Sequence, residues 1–332
     1  AGYLDFHNEN LISLSSKGTL AYQTKNNNSI LNFNQIPNNI NDYINENQFS
    51  KHKWFSLKDL HIFNNKIFIS YTDEIKENCW NTAVIFSEMN YEKLVFKKIF
   101  SPDKCNHSEN NKYNRFNAHQ SGGRIISIDN EQIILTVGDY RDLSSAQNKK
   151  SINGKNIKIN ISNSTYEIIS MGHRNIQGII YDKTNNFLLA TEHGPMGGDE
   201  INLIKLDDEN IPNYGWPIAS YGEHYGLKSK NKKLNEEFPL FKSHKNLGYI
   251  EPIKYFVPSI AISEIIQIGK KSYVTSSLKD QSIYFFDLNN KNEIINFKKI
   301  EVFDRVRDMI FKNNKIFLFM EESASVGTIN LS

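Results

Sequence analysis

The amino-acid sequence predicts an all-β protein folded as a six-bladed β-propeller. Helical periodicity is nearly absent, and short β-branched and aromatic runs recur between Asn, Asp and Gly. One strand pattern occurs six times: a polar turn, then three or four apolar residues, then a polar ending. The copies read NENLISLSS, NNKIFIS, DNEQIILTVGD, NNFLLATEHG, GKKSYVTSS and NNKIFLFMEE.

The spacing of the copies fits one blade each. Their starts are separated by 56, 65, 56, 84 and 44 residues, and a four-stranded blade takes roughly 40–50 residues plus loops. The longest interval predicts a loop insertion around residues 207–247 within a single domain spanning 1–332. We expect the tail, residues 326–331, to pair with the first blade and close the ring, which would leave no free sheet edge.

The polar endings of the copies predict a common site. Equivalent strand ends of a propeller converge on one face near the central axis, so residues distant in sequence meet there. Residues 138–139, 192–195, 277–279 and 321–322 all follow the same end of equivalent strands. The fold therefore predicts one pocket built from several blades.

Composition excludes some classes of function. The 332 residues are 39% hydrophobic and 23% charged, with a net charge of +2, so nothing indicates a nucleic-acid or membrane surface. No apolar run approaches the roughly 18–20 residues that span a bilayer. Ala1 does not begin a charged-then-apolar leader, so a signal peptide has been removed or never existed.

The two cysteines predict a disulfide. Residues 82–88 and 93–100 look like two strands joined by a turn, and paired residues in such a hairpin have a constant sum. Asn90 and Lys93 sum to 183, and Cys79 and Cys105 sum to 184. A disulfide indicates an oxidising compartment such as a periplasm. Two unrelated buried thiols are the alternative.

Several polar groups are candidates for chemistry. His119 stands in a glycine-rich loop that suits a general base near neutral pH. Arg174, with two amides close behind it, supplies donors that can stabilise negative charge on a carbonyl oxygen. Arg305 and Arg307 lie two residues apart on one strand face and would need an anion. Their alternative partners are the flanking residues Asp304 and Asp308.

The strings GHRNIQG, ATEHGPMGGDEINLI and NYGWPIASYG, within residues 172–222, resemble the signature region of the soluble aldose dehydrogenases that depend on pyrroloquinoline quinone (PQQ), the glucose/sorbosone dehydrogenase family. The resemblance covers roughly residues 54–331. In that family the HQSG string carries the proton-abstracting histidine, here His119, and an acidic residue orients it, here Asp139. For Asp139 a turn-forming role is the alternative.

The resemblance also implies cofactor ligands. The RNxQG string meets the reactive carbonyl of PQQ in the family, which assigns Arg174, Asn175 and Gln177. Four further positions stand where the family binds the cofactor: Ser259, Lys279, Arg305 and Arg307. Backbone carbonyls at a Gly-Pro turn hold a calcium ion that also binds PQQ, which assigns Gly194 and Pro195. A second, structural calcium site is implied at Ala219, Tyr221, Glu223 and Glu251.

The chain departs from the family pattern in one string. In PSIAISE, Ile262 and Glu264 replace the usual Pro and Gly. A carboxylate at position 264 near a trianionic cofactor would be unfavourable unless it points away. This departure bears on cofactor affinity or substrate shape and not on the fold.

Together these features predict a periplasmic or secreted sugar dehydrogenase that depends on PQQ and calcium. His119 would take the proton from the anomeric C1 hydroxyl of an aldose, the product would be a lactone, and electrons would pass to an external acceptor. A non-catalytic secreted propeller that binds a glycan or a protein is the main alternative. A calcium-dependent lactonase is a third option, and it needs acidic metal ligands clustered at the central axis.

Overall fold

The computed structural model describes residues 2–23, 33–109, 115–206, 210–226 and 231–331. These residues form six antiparallel sheets in chain order, so the predicted all-β, six-bladed β-propeller is confirmed. In the part of the chain so described, no helix is long and apolar enough to cross a membrane. Of the predicted insertion around 207–247, residues 207–209 and 227–230 lie outside the described residues.

The first three blades come from the N-terminal half of the chain. Blade 1 contains β1 (Gly2–His7), β2 (Asn10–Ser15), β3 (Leu20–Gln23) and β4 (Phe33–Gln35). The helix α1 (Glu46–Lys51) follows it. Blade 2 contains β5 (Leu57–Phe63), β6 (Lys66–Lys76), β7 (Cys79–Glu88), β8 (Lys97–Phe100) and the short β9 (Asn106–His107). Blade 3 contains β10 (Gly122–Ser127), β11 (Gln132–Val137), β12 (Lys155–Asn160) and β13 (Tyr166–Met171).

The other three blades follow in the same manner. Blade 4 contains β14 (Ile176–Asp182), β15 (Phe187–Glu192), β16 (Asp199–Lys205) and β17 (Lys254–Phe256). The helix α2 (Lys232–Glu237) lies in the long connection between its last two strands. Blade 5 contains β18 (Ile262–Gly269), β19 (Ser272–Ser277), β20 (Ser282–Leu288) and β21 (Ile294–Glu301). Blade 6 contains β22 (Val306–Lys312), β23 (Lys315–Met320) and β24 (Ser325–Asn330).

The six copies of the sequence pattern are the second strands of the six blades. They are β2, β6, β11, β15, β19 and β23. Their polar starts form tight turns after the innermost strand, and Asn64, Asn65, Asn313 and Asn314 all adopt a positive φ. Asn tolerates this left-handed conformation better than most residues. The turn chemistry therefore explains why the pattern begins with Asn.

The hydrophobic core lies between neighbouring blades. For example, Phe68 and Val84 of blade 2 pack with Ile133, Leu135 and Ile157 of blade 3, and all five are fully buried. Burying such a side chain contributes roughly 1.5–3 kcal/mol. Packing of this kind holds the sheets face to face and fixes the strand ends that surround the axis.

The predicted closure by the tail is wrong. Strand β24 pairs with β23 of its own blade, with Met320 opposite Ser325, so residues 325–330 are used as the third strand of blade 6. Blades 1 and 6 meet through contacts other than strand pairing. The backbone N–H of Leu4 donates to Asp308 Oδ2 at 2.6 Å, and the ring of Phe6 packs edge-on against that of Phe317.

The predicted disulfide is confirmed. Cys79 and Cys105 are bonded, with their Cα atoms 5.3 Å apart. The hairpin has the register expected from the sequence, because Ile85 pairs with Lys98 and Phe86 pairs with Lys97. The disulfide ties the start of β7 to the segment that leads towards His119.

Replacing Cys79 and Cys105 together by Ser should lower the free energy of unfolding by about 3 kcal/mol, because the bond closes a loop of 26 residues. Denaturant unfolding of the oxidised wild type and of the double variant measures this. Reduction of the wild type should reproduce the loss, whereas reduction of the variant should change nothing. Equal stability of the two proteins would show that the disulfide does not stabilise the fold.

Candidate active site

The starts of the innermost strands and the ends of the second strands surround a cavity of about 130 Å³ on the propeller axis. We call it the axial cavity. Blade 2 contributes Lys58 to its lining, blade 3 His119, blade 4 Gln177, and blade 6 Arg307 and Glu321. Residues distant in sequence therefore meet around one cavity, and of the strand endings that the repeat predicted to converge, Glu321 is among the described residues that line it.

His119 lies in a turn of 3-10 helix, Ala118–Gln120, which the Asn117 side chain caps by accepting from the His119 backbone N–H at 2.8 Å. Its ring packs on Trp54, with centroids 4.4 Å apart, and lies 6.3 Å from the ring of His193. Burial, with a smaller contribution from groups nearby that include His193 and Lys58, lowers the pKa of His119 to about 2. The imidazole is therefore neutral at physiological pH.

Two glycines after His119 let the chain pass close to its neighbours. Gly122 and Gly123 have φ of +61° and +113°. A Cβ on Gly122 would lie 2.8 Å from the carbonyl oxygen of Thr136, and one on Gly123 would lie 2.4 Å from Cβ of Lys58. The glycine pair therefore leaves room for the Lys58 side chain to enter the axial cavity.

Asp139 does not orient His119 in the predicted way. Its Oδ2 accepts from the indole of Trp216 and its Oδ1 from the backbone N–H of Arg141, both at 2.8 Å. Burial raises the pKa of Asp139 to about 6. With the Gln120 amide oriented so that both of its ends are satisfied, its nitrogen donates to Asp139 Oδ1 and its oxygen accepts from Arg174 Nη2. The carboxylate of Asp139 is therefore linked to the guanidinium of Arg174 through the Gln120 amide.

Arg174 and Asn175 precede β14 and are both buried. Arg174 Nη1 donates to the carbonyl oxygen of His193 at 2.8 Å, and its guanidinium stacks over the ring of Trp216. Asn175 Oδ1 accepts from the N–H of Gly122 at 3.1 Å. Its buried Nδ2 has no hydrogen-bond partner among the described residues, which leaves a donor available.

Arg307 and Arg305 take different positions. Arg307 is buried, donates to Gln177 Oε1 at 3.3 Å and lies 3.1 Å from Glu321, while its buried Nε has no partner in the described structure. Arg305 is half-buried, donates to the carbonyl oxygen of Leu278 at 3.3 Å and lies 3.9 Å from Glu321. The cationic pair is thus linked through Glu321.

The alternative pairing of these arginines with Asp304 and Asp308 is wrong. Asp304 accepts from the backbone N–H groups of Glu322 and Ser323, and Asp308 lies 2.7 Å from Arg124. Lys279, predicted beside the arginines, has an exposed side chain, and its backbone N–H donates to the carbonyl oxygen of Ile260 at 3.0 Å.

The turn containing Gly194 and Pro195 follows β15. Asp199 holds it, because its Oδ1 accepts from the Gly194 N–H at 3.0 Å and its Oδ2 from the Ile262 N–H at 3.2 Å. The hydroxyl of Ser259 donates to the Pro195 carbonyl oxygen over a long 3.4 Å. The turn, Ser259 and the start of β18 therefore form one unit beside His193.

The second predicted calcium set is not brought together as an acidic cluster. Glu251 accepts from the hydroxyl of Tyr221 at 2.7 Å and lies 3.6 Å from His244. Glu223 has an exposed side chain and pairs through its backbone with Met196, while Ala219 forms a backbone bridge with Phe241. Throughout the described ranges, no three His, Cys, Asp or Glu side chains are grouped so as to hold a metal.

Sequence reasoning missed four groups of the site: Trp54, Lys58, His193 and Trp216. The signal for Lys58 was a lysine followed by an aspartate inside the apolar strand β5. His193 was visible in the sequence, but only its neighbours were assigned a role. Its buried Nε2 has no partner in the described part of the chain, and burial lowers its pKa to about 4.

The structure shows which group the carboxylate of Glu264 contacts. Glu264 is buried, and its Oε2 lies 2.7 Å from Arg124 Nη1. Ile262 is fully buried in the core between blades 4 and 5. The carboxylate at position 264 is therefore paired with a cation on the propeller axis.

The fold and the site define a class: a six-bladed propeller with a cationic cavity on its axis and neutral histidines at its rim. A family model for glucose/sorbosone dehydrogenases matches residues 57–329 of the chain. The chain belongs to the glucose/sorbosone dehydrogenase family.

Similar proteins support this assignment. The aldose sugar dehydrogenase YliI of Escherichia coli is 25% identical over 253 residues, which are 68% of this chain and 61% of that protein. An uncharacterised protein of Synechocystis is 29% identical over 218 residues, 57% of this chain and 50% of its own length. The matches thus span half to about three fifths of these relatives.

Solved structures share the fold. The crystal structure of the soluble E. coli aldose sugar dehydrogenase in the apo form superposes with a TM-score of 0.72 at 20% identity, covering 98% of this chain and 94% of that chain. The PQQ-bound aldose sugar dehydrogenase of Streptomyces coelicolor gives 0.68 at 17% identity, covering 95% and 86%.

Proposed function

We propose that this protein is a sugar dehydrogenase that binds PQQ in the axial cavity and oxidises the anomeric C1 hydroxyl of an aldose to a lactone. One observation carries the proposal. Arg307 lines the axial cavity together with the neutral His119, and its buried Nε has no partner among the described residues. The same holds for the buried Nδ2 of Asn175, whose Oδ1 accepts from the N–H of Gly122. Buried donors are rarely left unpaired, so this arrangement supports a bound anionic acceptor.

The residues present fit such a cofactor. PQQ carries three carboxylates, and guanidinium groups pair well with carboxylates. Arg307 and Gln177 would hold it inside the cavity, with Arg305, Lys279 and Ser259 at the rim. When bound, PQQ would supply the quinone that accepts a hydride from the sugar. The protein would orient the cofactor and the sugar and supply the electrostatic environment.

Residues of the chain would accept the proton, stabilise the developing negative charge and position these groups. His119, held against Trp54, accepts the proton of the anomeric hydroxyl at one ring nitrogen. Arg174 and Asn175 direct donors towards negative charge that develops on an oxygen. Asp139 positions Arg174 through the Gln120 amide. This is a revised role for Asp139, since its carboxylate is bound away from His119.

Calcium is part of the proposal at one place. The carbonyl oxygens of Gly194 and Pro195 are hard donors of the kind that calcium prefers, and Asp199 fixes the turn that presents them. The set Ala219, Tyr221, Glu223 and Glu251 stays a prediction for a second calcium ion. The disulfide supports a periplasmic or secreted location, and an external acceptor would receive the electrons.

The other two readings have less support. Axial carboxylates exist, as a lactonase would need, but Asp59, Glu264 and Asp308 all lie within 3 Å of Arg124, at 2.9, 2.7 and 2.7 Å. A guanidinium therefore stands at their centre. A non-catalytic binding propeller remains the outcome to test against, and it would have no use for unpaired donors beside a neutral histidine.

Calorimetric titration of PQQ into the calcium-loaded apoprotein tests the proposed function. We expect binding that weakens when calcium is removed, followed by reduction of a dye acceptor with one or more aldoses. If the intact protein does not bind PQQ, the dehydrogenase proposal fails and the non-catalytic propeller stands.

Cofactor binding should also change the protonation of His119. In the apoprotein its imidazole should stay neutral between about pH 5 and pH 8, because burial and the charges of His193, Lys58, Arg307 and Arg174 lower its pKa. An anionic ligand offsets the positive charges and should raise the pKa. NMR titration of labelled histidine checks both states. A His119 that protonates near its ordinary pKa in the apoprotein would contradict this account.

A further inference from the structure

Arg124, on β10 of blade 3, reaches all five other blades. It is 4% exposed, and it is one of the residues that line the axial cavity. Outside blade 3 it contacts an aromatic ring of blade 1 and one carboxylate each from blades 2, 5 and 6. It also contacts two backbone carbonyl groups, one from blade 4 and one from blade 6. The partners are Tyr3, Asp59, Gln177, Glu264, Arg307 and Asp308.

The guanidinium divides its donors between two tasks. Nη1 faces the three carboxylates at 2.7 to 2.9 Å. Nε donates to the carbonyl oxygen of Gln177, and Nη2 donates to that of Arg307 at 3.1 Å. Nη1 donates its two hydrogens to Asp59 and Asp308, and Glu264 forms an ion pair with the same nitrogen. The planar fork of an Arg can direct its other donors to the two carbonyls at the same time, whereas the compact ammonium of Lys cannot.

The two carbonyls belong to residues whose side chains line the axial cavity. Gln177 comes from blade 4 and Arg307 from blade 6, with blade 5 between them. Ser263 of blade 5 also donates to the Arg307 carbonyl oxygen, at 2.7 Å. Arg124 thus ties the backbones of these two residues together, in addition to the direct hydrogen bond between their side chains at 3.3 Å.

The carboxylates hold Arg124 without building up charge at the cavity. Burial raises the pKa of Asp59 to about 7 and raises that of Glu264 well above its ordinary value. Protonated carboxyls among the three reduce the negative charge that faces an anionic ligand. This accounts for Glu264 at a position where the family usually has Gly.

We propose that Arg124 is a positioning residue. Through the backbone carbonyls of Gln177 and Arg307 it sets the separation of these two residues and thereby preorganises the site for an anionic cofactor. The inference rests on the proposed function for the identity of that cofactor. Misplacing a binding group by about 1 Å can cost about 10²-fold in a preorganised site. The effect should therefore appear in affinity, beyond any loss of stability.

The test compares Arg124→Lys with a control that is destabilised elsewhere. Tyr273→Phe removes the buried hydrogen bond from Tyr273 to Asp182, which ends β14 at the opposite end from Gln177. We expect the Kd for PQQ, followed by absorbance titration, to rise about 10–100-fold in Arg124→Lys. In Tyr273→Phe it should stay within about twofold of the wild-type value.

A folded Arg124→Lys protein with wild-type affinity would overturn the inference. If this variant does not fold, Arg124→Gln combined with Asp59→Asn keeps the local charge balance and takes its place. Crystal structures of the apoproteins give a readout without PQQ: displaced Gln177 and Arg307 side chains support the inference, and unmoved ones overturn it. Failure of the wild type to bind PQQ would sink the proposed function and leave this structural comparison to decide.

Discussion

Replacing His119 by Gln should lower kcat by about 10²–10⁴-fold, because the variant loses the group that accepts the anomeric proton. The substitution keeps a polar side chain of similar reach beside Trp54, so the fold and the affinity for PQQ should be nearly unchanged. Steady-state kinetics with a dye acceptor, together with PQQ titration, separates the two effects. A fall in kcat with intact cofactor binding is the expected result.

His193 provides the matched control, since its ring lies 6.3 Å from that of His119 in the same site. His193→Gln removes one of the groups that lower the pKa of His119. We expect a shift of the pH profile towards higher pH and a fall in kcat of less than about tenfold. A larger loss in His193→Gln than in His119→Gln would assign the base to His193.

Replacing Arg307 by Met should weaken PQQ binding by about 30-fold or more, which corresponds to the 2–5 kcal/mol that follows loss of one partner of a buried charge pair. Arg307 is buried, and it leaves Glu321 facing the cavity when it is removed. Arg305→Met should cost about 1 kcal/mol or less, because the Arg305 side chain is 36% exposed and screened by solvent.

Glu321 allows a sharper version of this comparison. Arg307→Met combined with Glu321→Gln should bind PQQ better than Arg307→Met alone, because the double variant no longer presents a carboxylate that has lost its ion pair with Arg307. Calorimetry at low and high salt measures the affinity for PQQ of Arg305→Met, of Arg307→Met and of the double variant. Equal losses for Arg305→Met and Arg307→Met would show that burial does not decide the contribution of these arginines.

The sequence predicted the fold well because the information is local. Asn residues with a positive φ stand in the turns before the second strands of blades 1, 2, 4 and 6, and so these turns identify those strands. The cysteine pair followed from the constant sum of a hairpin, which depends on one short turn. The symmetry of the propeller predicted that distant strand ends meet at one cavity, whereas the assignment of His119, Gln177 and Arg307 to the site came from the family resemblance.

The remaining features depend on contacts between blades. The indole of Trp216 holds Asp139 across 77 positions of sequence, and no local pattern signals that pairing. Ring closure was predicted wrongly because a β-rich tail reads the same whether it joins its own blade or the first. Lys58 and Glu264 looked out of place in apolar strings, and their partners became visible only in three dimensions.

Repetitive proteins commonly behave as a chain of units, each coupled only to its neighbours, so that their stability is a sum of unit and interface terms. The axial contacts of Arg124 add couplings between blades that do not touch, such as blades 3 and 6. This should make denaturation a more concerted event than the blade interfaces alone would produce. Loss of that side chain would then broaden the denaturant transition as well as move its midpoint.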